Sequence, residues 1–347
     1  MNSRDQLLKK GLIPLIGNTP ILRVDSLSEM TGCDIFMKCE NLNPGGTVKD
    51  RPALNMILEA IASGALKPGM TIVEGTAGNT GIGLAMVGHC LGYKVIVVMP
   101  KGMAPEKHKI LKLYGAEVVE TEAVAYTDDR HFFKVGKKIG QSSPDYWWAN
   151  QFDNPHNYLA HYKSIAPEMY AQMNEKIDAV VVAAGSGGTA AGISKFMKEK
   201  NPNIKIVMPD PQGSTISQFF KEGEFGTSSD YTMTEGVGIC RFVENFRHVL
   251  QDECYTIEDQ KLVSLAYWLK QKEGLVMGMS SMLNLAGAFT TALKMGPGHR
   301  IITIMCDGAE RAVSKMYNAE FLAEKKMDST LVSDEQLKKI FGSIQSK

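Results

Sequence analysis

Residues 71–83 read Thr-Ile-Val-Glu-Gly-Thr-Ala-Gly-Asn-Thr-Gly-Ile-Gly. The run Thr71–Glu74 predicts a short strand, Gly75–Gly83 a glycine-rich loop, and the apolar stretch to about Cys90 a helix. The same order recurs at Asp178–Ala184, an uninterrupted apolar run, followed by the turn Gly185–Gly188 and a helix to about Lys200. Lys94–Met99, Glu117–Glu120, Lys205–Met208 and Arg300–Met305 predict further strands, and Glu106–Tyr114 a further helix. Strands that are apolar on both faces and alternate with helices belong to mainly parallel sheets covered on both sides. Two separate strand–glycine–helix units predict two such sheets. The fold class is therefore α/β, with two domains that each carry a mainly parallel twisted sheet covered by helices. The length of 347 residues suits two domains. Ligands of such sheets sit beyond the carboxyl ends of the strands, which makes the cleft between the domains the expected site.

Composition narrows the ligand. Lys plus Arg and Asp plus Glu both number 38, so the chain has no overall field to hold a nucleic acid or an anionic membrane surface. No run of eighteen apolar residues predicts a membrane span. Six cysteines are scattered without a C-x-x-C pair and read as reduced thiols of a cytoplasmic protein; the N-terminus carries no signal-peptide core. Neither a metal-binding nor a nucleotide phosphate-loop motif is present, and no metal is expected. His156 and His161, five apart, are poorly spaced for one ion and read as surface or loop histidines. The twenty methionines read as core filling. Glycine is the excess residue, 33 of 347 against a usual share of about 7%, and it lacks a collagen period. Gly223–Tyr231 reads as a polar loop. Ser333 and Gln336 fit a capping box at the start of a C-terminal helix, with Leu337, Ile340, Phe341 and Ile344 on the face that meets the body or a sister subunit.

Three segments carry chemistry. Gly185-Ser-Gly-Gly-Thr189 follows a strand and opens a helix, so its N–H groups and the helix dipole converge on one anion, most often phosphate, with Ser186 and Thr189 adding hydroxyls. The stretch to Ala190 also satisfies G-x-G-x-x-[GA], with Asp210 at the end of the next strand, which is a dinucleotide fingerprint; no hydride-transfer site accompanies it, and Pro209 and Pro211 suggest a turn at Asp210. The loop 74–83 sets Thr76, Asn79 and Thr80 beside N–H groups, a setting for a carboxylate. In Asn43-Pro-Gly-Gly-Thr-Val-Lys49-Asp-Arg51, Lys49 starts a helix running to about Ser63. The dipole there favours its neutral amine, the form that makes a Schiff base. Two anion sites and one such lysine fit an amino-acid substrate and a phosphorylated cofactor.

The order and spacing of N-P-G-G-T-V-K-D-R, T-A-G-N-T-G and G-S-G-G-T resemble the pyridoxal-phosphate-dependent β-family (fold type II), in its cysteine synthase / cystathionine β-synthase branch. Further matches are Ile16–Pro20 (IGNTP), Asn150–Asn157 (NQFDNPHN), Glu235–Gly238 (EGVG) and Glu273–Ser281 (EGLVMGMSS), so the likeness covers roughly residues 12–325. The resemblance implies pyridoxal 5'-phosphate in the interdomain cleft, with Lys49 as its covalent anchor and proton carrier. Gly185, Ser186, Gly187, Gly188 and Thr189 would hold the phosphate, and Asn79 the ring hydroxyl. Thr76, Ala77, Gly78, Asn79, Thr80 and Gln151 would bind the substrate carboxylate, with Gly236 near the amino group. The implied domains are 43–158 (smaller, substrate loop), 1–42 plus 159–325 (larger, cofactor phosphate) and a helical extension at 326–347.

The implied reaction is β-replacement, L-cysteine from O-acetyl-L-serine and sulfide through an α-aminoacrylate. Cystathionine synthesis from serine or O-acetylserine with homocysteine, and β-elimination by a deaminase or desulfhydrase, remain open. The family implies a homodimer; serine acetyltransferase enters only as a partner the family allows. The chain departs from the family pattern in places. Ala77 replaces a common serine, and the serine taken to face the ring nitrogen falls at Gly308, with Asp307 as a substitute. Met279 and Met282 add bulk near the cofactor, and Ala312 stands for a tyrosine.

Overall fold

The computed structural model describes residues 3–226 and 232–345. The part of the polar loop Gly223–Tyr231 from 227 onward lies outside the described residues. Ten strands form two sheets. β1 (Ile21–Arg23), β2 (Asp34–Cys39), β7 (Ala179–Val181), β8 (Lys205–Pro211), β9 (Glu253–Ile257) and β10 (Arg300–Met305) make the larger, in the order β1-β2-β10-β7-β8-β9. Only β1 runs antiparallel to its neighbour. β3 (Thr71–Gly75), β4 (Lys94–Pro100), β5 (Glu117–Thr121) and β6 (Tyr146–Trp148) make the smaller, all parallel, in the order β5-β4-β3-β6. The apolar runs became central strands because both their faces are covered: Ile72, Val73, Val97, Val180 and Val181 are fully buried.

Two strands differ from the sequence reading for local reasons. The run 178–184 is ladder-bonded only over Ala179–Val181, because the chain then leaves the sheet and the Asn284 side chain accepts the Ala183 N–H at 2.7 Å. β8 continues through both prolines to Pro211, paired with β9, so Asp210 lies in a strand, buried, and its carboxylate accepts the N–H of Ser217. That carboxylate is not available for a ribose, and the dinucleotide fingerprint loses its second element.

The N-terminal segment divides between the two cores. Ile13 is buried in the cluster that holds Met56, Ile57, Ile72, Val97 and Leu111, with Leu8 and Ile16 packed against it. The segment 8–16 therefore sits on the smaller sheet's core, and the chain joins the larger sheet only from β1; assigning all of 1–42 to the larger domain is corrected. The apolar side chains at 8, 13 and 16 are the cause, since the smaller core takes them out of water. The C-terminal helix Asp334–Gly342 does carry its capping box, and it packs Leu337 and Phe341, both fully buried, on the helix Met279–Met295, the Phe341 ring 5.3 Å from that of Phe289. Phe341→Ala is expected to cost about 3–5 kcal/mol, read as a lower urea midpoint. An unchanged midpoint would mean that this helix is not docked on the body.

Candidate active site

The carboxyl ends of β3 and β7 face one cavity of about 510 Å³, and the three glycine segments meet there. Its wall includes Lys49, Thr76 to Thr80, Gln151, Gly185 to Gly187, Thr189 and Gly236. Four lysines and one glutamate (Lys49, Lys101, Lys107, Lys315 and Glu235) are its charged residues, a surplus of positive charge that suits small anions.

Lys49 caps the helix Asp50–Ala62. Among the described residues its ammonium has neither ion pair nor hydrogen bond. Burial lowers its pKa, opposed by the nearby Cys306 and Asp307. Desolvation disfavours the charged amine in the same direction that the helix dipole suggested from the sequence. The base of this helix is rigid: Arg51 makes paired bonds of 2.7–2.8 Å to both Glu40 and Glu168, and Lys38 joins Glu168 at 2.7 Å. Burial acts to raise the Glu168 carboxyl, but Arg51 and Lys38 hold it at about 2.

The phosphate-type loop is built by close approach. A Cβ on Gly185 would collide with the Gly236 carbonyl, and Gly187 has φ +79°, open to glycine at no steric cost. Gly188 begins the helix Gly188–Lys200, turns its Cα to Asn157, and is not on the cavity wall. Asn157 donates to Ser186 Oγ at 3.0 Å and to the Gln151 carbonyl at 2.7 Å. Beneath the loop, His161 Nε2 lies 3.2 Å from Thr189 Oγ1. His161 is fully buried, and burial drives its pKa well below 6.5, so it is neutral. The reading of His161 as a surface or loop residue is corrected.

The substrate-loop glycines also mark contacts. A Cβ on Gly83 would lie 2.9 Å from the Lys49 carbonyl oxygen, which lets the helix Asn79–Leu91 pack directly on the lysine segment. The Gln151 amide is fixed on both sides: Thr80 Oγ1 donates to its oxygen at 2.6 Å, and its nitrogen lies 3.3 Å from Glu74 Oε1 and from the Gly75 carbonyl. Burial raises the Glu74 carboxyl to about 8.

Two expectations about the ring-nitrogen side fail. Gly308 is off the cavity wall; its backbone bridges Met277, and a Cβ there would run into Glu310. Ser280 and Cys306 occupy that wall instead. Asp307 is committed elsewhere, to Asn79 at 2.7 Å and to the Ser281 hydroxyl at 3.3 Å. Met279 and Met282 point into the larger core, not toward the site.

A further group went unread. Glu235 bonds Lys107, Lys315 (2.6 Å) and the Ala104 N–H (3.0 Å), and Lys315 reaches the Gly102 carbonyl at 3.1 Å. Ser314 adds two bonds to Glu106. These contacts tie loops of the two sheets together at the cavity wall. Burial opposes the Glu235 charge, but Lys107 and Lys315 prevail and hold its pKa below the ordinary value. The only sequence signal was a carboxylate beside the glycines of Glu235–Gly238.

The geometry fits pyridoxal phosphate: a helix N-terminus with two hydroxyls, an unpaired amine on the cavity wall, and a roomy cavity between them. A family profile, described as pyridoxal-phosphate dependent enzyme, matches residues 12–307. The chain belongs to that family. Cysteine synthase 1 of Neurospora crassa is 40% identical, covering 94% of this chain and 88% of the relative. Cysteine synthase of Dictyostelium discoideum is 39% identical, covering 91% and 86%. The crystal structure of O-acetylserine dependent cystathionine beta-synthase from Helicobacter pylori superposes with a TM-score of 0.80 at 33% identity, covering 88% of this chain and 97% of that one. The protein is thus a fold type II pyridoxal-phosphate dependent enzyme of the cysteine synthase type.

A pH test follows from Glu74. Its carboxyl titrates near 8 in the fold, against an ordinary value of 4.5. The folded state therefore holds a proton that the unfolded chain releases, and stability falls as pH rises from about 4.5 to about 8. Glu74→Gln is expected to flatten the dependence of the melting temperature on pH across that window. An unaltered slope would show that Glu74 is ionised in the fold.

Proposed function

We propose that the enzyme makes L-cysteine: O-acetyl-L-serine loses acetate, which departs with the C–O bonding pair, and hydrosulfide forms the new C–S bond at the same β-carbon. The observation that carries this reading is the unpaired Lys49 amine on the cavity wall, set between the glycine loop 185–189 and the loop 74–83, which we read as the phosphate cradle and the carboxylate-binding loop. The curated relatives, cysteine synthases by name, support it.

Pyridoxal phosphate, when bound, supplies the electron sink that makes the substrate α-proton removable. The remaining work belongs to the chain. Ser186, Thr189 and the N–H groups of the loop Gly185–Thr189 hold the phosphate at the N-terminus of the helix Gly188–Lys200. Thr76, Ala77, Gly78, Asn79 and Thr80 cradle the substrate carboxylate, and Gln151 keeps that loop in place through Thr80 and the carbonyl of Gly75. Gly236, whose φ is +82° and whose Cα faces open space, leaves room for the substrate amino group. Lys49, whose pKa is lowered by desolvation, takes the α-proton and later returns it. Glu235, Lys107 and Lys315 shut the mouth and exclude water, so that sulfide rather than hydroxide completes the reaction. Six free cysteines suit the reducing cytoplasm, and a homodimer is the assembly we propose.

The test is to add O-acetylserine and sulfide to the holoenzyme and measure cysteine and acetate. Equal release of both supports the reading. Pyruvate and ammonia in place of cysteine, or turnover with homocysteine alone, would overturn it in favour of elimination or cystathionine synthesis. Lys49→Ala is expected to lower kcat by at least about 10²–10⁴-fold, with the fold intact by circular dichroism. Glu235→Ala is expected to raise the share of substrate lost to pyruvate, measured as the pyruvate-to-cysteine ratio. An unchanged ratio would mean that the closed mouth does not protect the reaction.

A further inference from the structure

We propose that Asp307 is a positioning residue that, with Arg311, sets which way round the Asn79 amide faces the cavity, and through it the hydrogen bond given to the cofactor's ring hydroxyl. The proposal rests on the reading that Asn79 meets that hydroxyl.

The two ends of an asparagine amide have nearly the same shape, so their orientation is decided by their partners. Here the partners are unambiguous. Asn79 Nδ2 donates to Asp307 Oδ2 at 2.7 Å, and Arg311 Nη1 donates to Asn79 Oδ1 at 3.1 Å. A carboxylate only accepts and a guanidinium only donates. A flipped amide would set oxygen against carboxylate and NH₂ against guanidinium, losing both bonds and adding two repulsions. With the amide held this way, one Nδ2–H remains uncommitted, and Asn79 lines the cavity.

Both partners are themselves fixed. Asp307 and Arg311 are almost fully buried. The single Ser281 hydroxyl proton is shared between the Asp307 carbonyl (2.9 Å) and Asp307 Oδ1 (3.3 Å), and the Asp307 N–H donates to Ser281 Oγ at 3.1 Å. Gly278 leaves the slot for the carboxylate, because a Cβ there would collide with Asp307 Oδ1. Arg311 is anchored on the Gly45 carbonyl, in the turn just ahead of Lys49. The grip on Asn79 therefore comes from the far side of the cleft, from residues that follow β10, and it needs both sheets in register. An N–H aimed at the ring oxygen stabilises its deprotonated form, so the orientation of one amide biases the cofactor's own protonation state.

The experiment compares absorption spectra of wild-type, Asp307→Ala, Asn79→Ala and the double variant, each reconstituted with pyridoxal phosphate, alongside their melting temperatures. The expected result is that Asp307→Ala shifts the ratio of the long- to the short-wavelength cofactor band by about threefold to tenfold, the scale one hydrogen bond supports. Asn79→Ala shifts it in the same direction, and the double variant adds nothing further. Asp307→Asn, which can still offer an acceptor oxygen, restores the wild-type ratio. If Asp307→Ala does not fold, Arg311→Met tests the other half of the grip and is expected to shift the ratio in the same direction. A spectrum unchanged in Asp307→Ala (or in Arg311→Met, where that stands in) while Asn79→Ala shifts would overturn the positioning role. A spectrum unchanged in Asn79→Ala would instead overturn the reading beneath it, that Asn79 meets the ring.

Discussion

Lys49 Nζ faces the cavity with no carboxylate or carbonyl to meet it among the described residues, and most of the surrounding structure serves that constraint. A buried lysine would ordinarily pair or move out to water. Here the Arg51–Glu40–Glu168–Lys38 network pins the first turn of its helix, so the backbone cannot relax outward. The nearest acid, Asp307, is held by Asn79 and Ser281 rather than by the lysine. Cys306, beside it, has its thiol pKa pushed up to about 12 by burial. The amine is left unpaired, with desolvation lowering its pKa.

The two anion cradles are organised around that lysine by the removal of side chains. Gly83 lets the substrate-loop helix rest on the Lys49 carbonyl, and Gly185 lets the phosphate loop rest on Gly236. Polar groups behind each loop then fix what the glycines leave free. Gln151 and Glu74 stand behind Thr80, Asn157 behind Ser186, and His161 behind Thr189. Both loops are thus fixed in the same two ways, by close backbone approach and by buried polar groups behind them. Closure is a separate layer, since Glu235 and its two lysines join the mouth without touching either loop's hydrogen bonds.

Much of the fold was legible because fully covered parallel strands leave unbroken apolar runs, as at Lys94–Met99 and Arg300–Met305. What escaped did so for physical reasons. The helix Met279–Met295 is buried almost all round and so carries no amphipathic period. β8 runs through two prolines that usually end a strand. In the site, motif residues such as Lys49, Thr76 and Thr189 could be read locally, since their loops announce themselves. Ser280, His161 and the Glu235 cluster could not, because each acquires its meaning from a partner far off in sequence. The Gly308 expectation failed for the same reason: sequence position placed it near the ring nitrogen, but the bridge to Met277 turns it away.

The central claim is that Lys49 is the lysine that holds the cofactor covalently. Borohydride reduction of the holoenzyme, followed by peptide mass mapping, tests it most directly. The account predicts a single pyridoxyl adduct on the peptide containing Lys49, with Lys107 and Lys315 unmodified. An adduct on either of those lysines, or none on Lys49, would contradict it.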